Sequence, residues 1–399
     1  MLGVSTMEYA SSAWHVISAT LVLMLGAPVA VSMGRKFGTR PKWGLFLYVW
    51  HTIFCIFYAK LVMESGGDAA DYFEASLAPS PEFGIGTRGV SYFTHIFSIY
   101  LGFSYVGVFF VFNIFGTIGL LAFDAVLRTV TQDRSRFLRR LAVVIVLLPS
   151  ISFWSAAIGK DSVAFMATSL ALWASMSMPR RSWLMIIAIA CMFLMRPHIA
   201  AIMILSLAAS MVFSAKVPWK WRAALVSVAL AASAAIVPFT IQYAGLEMPA
   251  DGDSIETYVE KRQGYNQHGG GGIDIGSMSL PMQLFTYVFR PLPYEANGIF
   301  GLAASLDNVV LLVLAVLGVW GMIRRRGDRV VLRNAAFLWI YSAGTWLILA
   351  PMTANLGISV RQKWMFVPML VCLLICNVRE RQVRRRASAA EYQPLGTSR

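Results

Sequence analysis

Asp68 and Asp71 follow an apolar run, Lys160 and Asp161 fill a short gap between two others, and Arg196 and His198 flank Pro197 in a third gap. Arg290 stands ahead of Pro291 and Pro293, and Arg361 with Lys363 precedes the last apolar run. Ionisable side chains at membrane depth cost roughly 2.5 to 3.5 kcal/mol each, so residues that persist near such runs need a physical reason. Cations of this kind suit a phosphate or pyrophosphate, the arginine fork best of all. A carboxylate could take the proton of a hydroxyl nucleophile. Asp68 and Asp71 are therefore the candidate catalytic residues. Lys160, Asp161, Arg196, His198, Arg290, Arg361 and Lys363 are the candidate phosphate- and sugar-binding set. Two carboxylates could hold Mg²⁺ or Mn²⁺ with waters but form no complete cage, so the sequence requires no cofactor and leaves a metal open.

Each piece also has a plain structural reading. Lys160-Asp161 reads equally as a turn with a local ion pair or a capping Asp, and Arg196-Pro197-His198 as a proline-broken helix end with a snorkelling arginine. Asp68 and Asp71 could cap a short helix, and Arg361 and Lys363 could be interfacial anchors. His268, beside glycines, reads as solvated. Asp124 and Asp307 read as local hydrogen-bonding groups near helix ends.

The elements that must position these residues are membrane helices. Of 399 residues, 57% are hydrophobic and only 14% charged, with a mean hydropathy of +0.63; soluble domains carry roughly a quarter charged residues. Apolar runs long enough to cross a bilayer recur throughout. The expected fold is an all-α polytopic transmembrane bundle of about eleven spans near 13–33, 43–63, 104–127, 141–158, 162–178, 183–195, 199–215, 223–241, 302–323, 334–353 and 363–378. Residues 1–386 form one transmembrane domain, and 387–399 a disordered cytoplasmic tail. The cysteines, Cys55, Cys191, Cys372 and Cys376, all fall within apolar runs and read as small core residues.

Charge sets the orientation. The net charge of +14 would suggest nucleic acid in a soluble protein, but here the basic residues cluster in short gaps, so anionic lipid headgroups are the expected partners and nucleic acid is not. Assigning alternate gaps to the inside places 25 of the 34 basic residues there. The N-terminus is then outside, the C-terminus inside, and all nine candidate residues are outside. Two outer loops, 64–103 and 242–301, are long enough to fold. The first ends in an aromatic stretch, Tyr92 to Tyr100, expected along the membrane interface. The second contains Gly269 to Gly272, expected to hinge a mobile lid.

Gly67-Asp68-Ala-Ala-Asp71-Tyr72 after an exit helix, Leu148-Pro149-Ser150-Ile-Ser-Phe153-Trp154-Ser155 leading to Gly159-Lys160-Asp161-Ser162, and Arg196-Pro197-His198 together resemble bacterial membrane glycosyltransferases of the GT-C type. The closest likeness is to exopolysaccharide and O-antigen polymerase-like proteins. Phe289-Arg290-Pro291-Leu-Pro293 and Asn355-Leu-Gly357 before Arg361-Gln362-Lys363 look like outer-loop motifs of that group. The resemblance spans roughly residues 60 to 370 and departs from the GT-C pattern in an extra span before the first outer loop and in lacking a large C-terminal soluble domain. It implies sugar transfer, at the outer face of a bacterial inner membrane, from a polyprenyl-phosphate or polyprenyl-pyrophosphate donor to a glycan or lipid-linked acceptor, with an acidic residue of the first outer loop as base. The competing expectation is a glycolipid or polysaccharide transporter or flippase, which would carry polar groups along a path through the midplane.

Overall fold

The computed structural model describes residues 11–212, 271–296, 298–324 and 334–378, with the single positions 223, 227, 260, 263, 264 and 332. These residues are helical apart from turns and one isolated antiparallel bridge between Gly272 and Asn355. The chain runs through α1 (Ala13–Lys36), α2 (Pro41–Ser65), α3 (Asp68–Ser76), α4 (Thr87–His95) with a π-helical extension (Ile96–Tyr100), α5 (Tyr105–Thr131), α6 (Arg136–Val146) and α7 (Pro149–Ser155). It continues through α8 (Lys160–Ser175), α9 (Met178–Met195), α10 (Pro197–Val212), α11 (Leu280–Phe289), α12 (Gly298–Ile323), α13 (Ala335–Met352), α14 (Leu356–Gln362) and α15 (Val367–Asn377).

Among the described residues, seven helices are long and apolar enough to cross a membrane, α6 and α7 counting together as one. An eighth follows if α14 and α15, bent by 70° at their junction, form a single span. The described residues thus carry seven or eight such helices, and the expected count of eleven is not reached among them. The predicted spans 162–178 and 199–215 appear as α8 and α10, each of 16 residues, and the tail and all of 223–241 but positions 223 and 227 lie outside the described residues. α8 is too short to present a full hydrophobic thickness, but nearly every residue in it is buried by protein.

The apolar core centres on α5, whose Phe109, Phe112, Leu120, Leu121 and Phe123 are fully buried. α1, α2 and α8 pack around it. In a membrane, close helix contact relies on small residues and interhelical hydrogen bonds. Both occur where α5 meets α2 and α7. A Cβ on Gly116 would overlap the Ser155 carbonyl oxygen and lie 2.6 Å from the His51 ring. Beside it, His51 is hydrogen-bonded to Asn113 Oδ1 at 2.5 Å through Nδ1 and to Ser155 Oγ at 2.8 Å through Nε2, and Asn113 donates to Thr52 at 2.9 Å. All four side chains are buried. Gly116→Ala is therefore expected to lower stability by about 1–3 kcal/mol through overpacking against backbone, read as a reduced unfolding midpoint in detergent.

The bundle has two distinct ends. At one, Arg128 donates to Gly38 O and Thr39 Oγ1, Arg134 to Val378 O, and Arg181 to Trp173 O. These bonds gather the α1–α2 turn, the α5–α6 turn and the C-terminal ends of α8 and α15, which carry the basic clusters. At the other end, Trp14 donates to Leu101 O, and the Gly86 amide to Leu194 O. The aromatic stretch lies at this second end. Phe93 packs edge-on against Phe112 of α5, and His95 is buried against Ser76 O, while Ile99, Tyr100 and Leu101 remain exposed.

Candidate functional site

Four chain breaks build a cavity of about 350 Å³ at the end opposite the basic clusters. The first is Gly66-Gly67, with φ of +74° and +138°. These are conformations that side-chain-bearing residues rarely adopt, and they turn the chain sharply from α2 into α3. The turn sets Asp68 at the first position of α3, facing the cavity with Ala69 and Tyr72. The second break, Ala156 to Gly159, separates α7 from α8 and presents Lys160 and Asp161 in the first turn of α8. The third is at Arg196, whose backbone (φ −145°, ψ 81°) is non-helical because Pro197 begins the next helix. The fourth is the turn Thr353 to Asn355, where the Asn355 side chain caps α14 by accepting from the Gly357 and Ile358 amides.

Side chains from all four breaks meet in one ion-pair chain. Asp161 accepts from Arg196 at 2.7 Å through Oδ1 and faces Arg361 Nε at 3.1 Å through Oδ2. Arg361 Nη1 donates to Asp68 Oδ2 at 2.6 Å. Asp161 is thus clamped between two arginines, while Asp68 is held by one oxygen and half exposed, at 51%. Arg196 Nε is buried without a partner. Lys160 donates to Thr87 Oγ1 at 2.8 Å. Burial, and then the neighbouring Arg196 charge, pushes its amine down to about 8. His198, Gln362 and Thr353 also line the cavity.

The remaining wall is aromatic and apolar. Trp154 stands between Tyr58, with ring centroids 5.3 Å apart, and the Arg361 guanidinium, 6.0 Å from its ring. The Tyr72 phenol is pushed up to about 12 by burial and then by the Asp68 and Asp161 charges, so at neutral pH it is a hydrogen-bonding hydroxyl. Three cations against two carboxylates leave the lining net positive. Aromatic faces beside such a set can hold a sugar ring on one side and an anion on the other.

Six of the nine sequence candidates therefore line one cavity: Asp68, Lys160, Asp161, Arg196, His198 and Arg361. The other three do not. Asp71 is exposed on another face of α3. Arg290 is turned away into a local pair, because the Pro291–Pro293 turn brings Glu295 back onto it at 2.9 and 3.1 Å from Nε. That pairing and the Leu292 amide hold the Glu295 carboxyl below its usual range. Lys363 is neither exposed nor interfacial. It is fully buried, donating to Val288 O at 3.2 Å and to Asn308 Oδ1. Its role is architectural: it ties the α14–α15 bend to α11 and α12, while Tyr341 and Thr168 donate to the Met365 carbonyl freed by the bend. Asp307, expected to bond locally, instead accepts from the Ser150 amide at 2.7 Å, joining α12 to α7.

Arg290→Lys is accordingly expected to leave phosphate-ligand affinity within about twofold of wild type, since its fork is committed to Glu295, while lowering the unfolding midpoint. A direct binding titration separates the two effects. The glycine-run expectation also changes. Gly269 and Gly270 lie outside the described residues, but Gly271 O accepts from the Leu356 amide at 2.8 Å, and the Ile273 amide donates to Ala354 O at 2.9 Å. The stretch from Gly271 to Ile273, midway along the second long loop, is strapped to the segment that leads to Arg361. For a metal, the described residues offer no group of three or more His, Cys, Asp or Glu side chains, and both cavity carboxylates are engaged by arginine. That donor set does not fit a metal cage.

Tyr58, Tyr72, Trp154 and Thr353 were missed as cavity residues. Tyr72 and Trp154 sit inside the short motifs around Asp71 and Ser155, which is the available signal. Tyr58, within an apolar run, offers none. Comparison with protein families, characterised proteins and solved structures yields no match to this chain.

Proposed function

We propose that the protein is a membrane glycosyltransferase or polysaccharide polymerase, acting at the outer face of a bacterial inner membrane on a polyprenyl-phosphate- or polyprenyl-pyrophosphate-linked sugar. The observation that carries this reading is the ion-pair chain Arg196–Asp161–Arg361–Asp68 opening into an aromatic-walled cavity at the end away from the basic clusters. The positive-inside rule supports the sidedness. A volume of about 350 Å³ falls at the lower end of ligand pockets, suiting a phosphosugar head with the prenyl chain left outside among the helices.

In this reading Lys160, Arg196 and Arg361 hold the donor phosphate, and Trp154, Tyr58 and Tyr72 contact the sugar. Asp68 is the base, because its Oδ1 accepts no hydrogen bond from the described residues while Oδ2 is fixed by Arg361. It takes the proton of the acceptor hydroxyl as that oxygen bonds to the anomeric carbon. The bond from that carbon to the phosphate oxygen breaks, and the departing negative charge falls on groups already beside the cations. Fixed positioning and charge stabilisation supply the rate. The test is incubation of purified protein with a radiolabelled polyprenyl-pyrophosphate oligosaccharide and unlabelled acceptor. Elongated labelled product supports the reading, and unchanged donor with demonstrable donor binding argues against it.

A further inference from the structure

A second recess, of about 690 Å³, lies at the basic end, between the α1–α2 turn, the C-terminal part of α5 and α6. Its floor is fixed. Asp124 accepts from Trp43 Nε1 at 3.0 Å and from Arg128 Nε at 2.8 Å, and Arg128 extends to Gly38 O at 3.0 Å and Thr39 Oγ1 at 2.6 Å. The one carboxylate in the lining is therefore already neutralised by Arg128. Above it stand Arg40 and Arg139, both exposed and with no ion pair among the described residues. Leu127, Ala142 and Val143 form the apolar side.

α6 adds an independent indication. It has no acidic residue in its first turn, yet carries Arg136, Arg139 and Arg140 near its positive N-terminal end, where the helix dipole disfavours cations. An anion at this place would relieve both the mutual repulsion and the dipole. Next to the arginines, α6 exposes Phe137, Val143 and Val144, and Arg136, Arg139 and Arg140 share a shallow recess with the two valines. A cationic recess with exposed apolar side chains beside it matches a molecule with a phosphate head and acyl tails.

We propose that this recess is a binding site for the headgroup phosphate of an anionic phospholipid. Arg40 and Arg139 hold the phosphate, Trp43 lies at headgroup level, and an acyl chain follows Phe137, Val143 and Val144 along α6. The site is separate from the cavity and holds whether or not the protein transfers sugar. It goes beyond diffuse attraction of basic loops to a charged surface, because it needs two particular arginines over a preformed floor.

The test uses the full-length protein in a neutral detergent, with native mass spectrometry and thermal unfolding as readouts. Phosphatidylglycerol should be retained and should raise the unfolding midpoint. Phosphatidylcholine and inorganic phosphate should do neither. Arg40→Gln with Arg139→Gln should weaken phosphatidylglycerol retention roughly 30-fold, the effect of losing two basic groups near a headgroup. Arg180→Gln with Arg324→Gln removes the same charge at the same end of the bundle and should leave retention unchanged. Equal effects of phosphatidylcholine overturn the headgroup assignment, and a full effect of inorganic phosphate reduces the site to a free-anion site. Equal weakening by the control pair overturns its location. The three wild-type ligand comparisons decide the headgroup assignment even if a variant fails to fold, and the paired variants decide its location.

Discussion

Asp68→Asn is expected to reduce sugar transfer by about 10²- to 10⁴-fold while leaving donor affinity nearly unchanged, and Asp71→Asn is expected to do neither. Asparagine preserves the shape of Asp68 and can still accept from Arg361 Nη1, so the 2.6 Å contact that orients Arg361 survives the substitution. What is lost is the proton acceptor. The contrast with Asp71 follows from helix geometry. On α3, with about 3.6 residues per turn, Asp68, Ala69 and Tyr72 lie within one arc that faces the cavity. Asp71 falls roughly 100° away from the centre of that arc, which is where the structure places it, exposed and outside the lining. Single-turnover transfer and an independent donor-binding titration should be run on both variants. Full activity of Asp68→Asn would remove the base from this proposal, and loss of activity in Asp71→Asn alone would move it.

The same geometry explains how much of the site was legible in the sequence. Ionisable residues in alternate gaps of an apolar chain must emerge at one end of the bundle, so Asp68, Lys160, Asp161, Arg196 and Arg361 could be grouped before any contact was known. Sequence order does not say which way a side chain turns after a break. Arg290 reads as a phosphate ligand because it stands in an outer loop and its fork suits phosphate, yet a proline turn returns Glu295 to it within five residues. Lys363, a basic residue before an apolar run, reads as a phosphate-binding cation or as an interfacial anchor. The 70° bend between Leu356–Met365 and Val367–Asn377 instead carries it inward, where Asn308 and a carbonyl satisfy it. Tyr58 was invisible for a different reason: an aromatic in a span has the same sequence signature whether it faces core or cavity. The fold was legible to the level of an all-helical bundle with segregated ends. The span count was less so, since hydropathy measures how apolar a segment is and not whether it meets lipid, and α8 is apolar because it is buried in protein.

Asp161→Ala should show whether the arginines are there for an anion or only for one another. In the native cavity this carboxylate is shared by Arg196 and Arg361, whose side chains are 11% and 20% exposed, and it is itself 17% exposed. Removing it leaves two largely desolvated guanidinium groups near Lys160 with Asp68 as the remaining cavity carboxylate, a change expected to cost about 3 kcal/mol of stability without ligand. An anionic donor can supply the missing charge. Pyrophosphate should therefore raise the unfolding midpoint of Asp161→Ala by more than it raises that of wild type, because ligand binding and the relief of repulsion are linked. Transfer should nevertheless fall, since the carboxylate that orients both arginine forks is gone and a misplaced phosphate loses the positioning on which the rate depends. Asp161→Asn, which keeps one acceptor and the side-chain shape, should fall between the two in ligand-free stability. If Asp161→Ala is destabilised but gains nothing extra from pyrophosphate, the arginines form a structural clamp and the phosphate lies elsewhere. If it is as stable as wild type, the ion-pair chain does not hold the four breaks together.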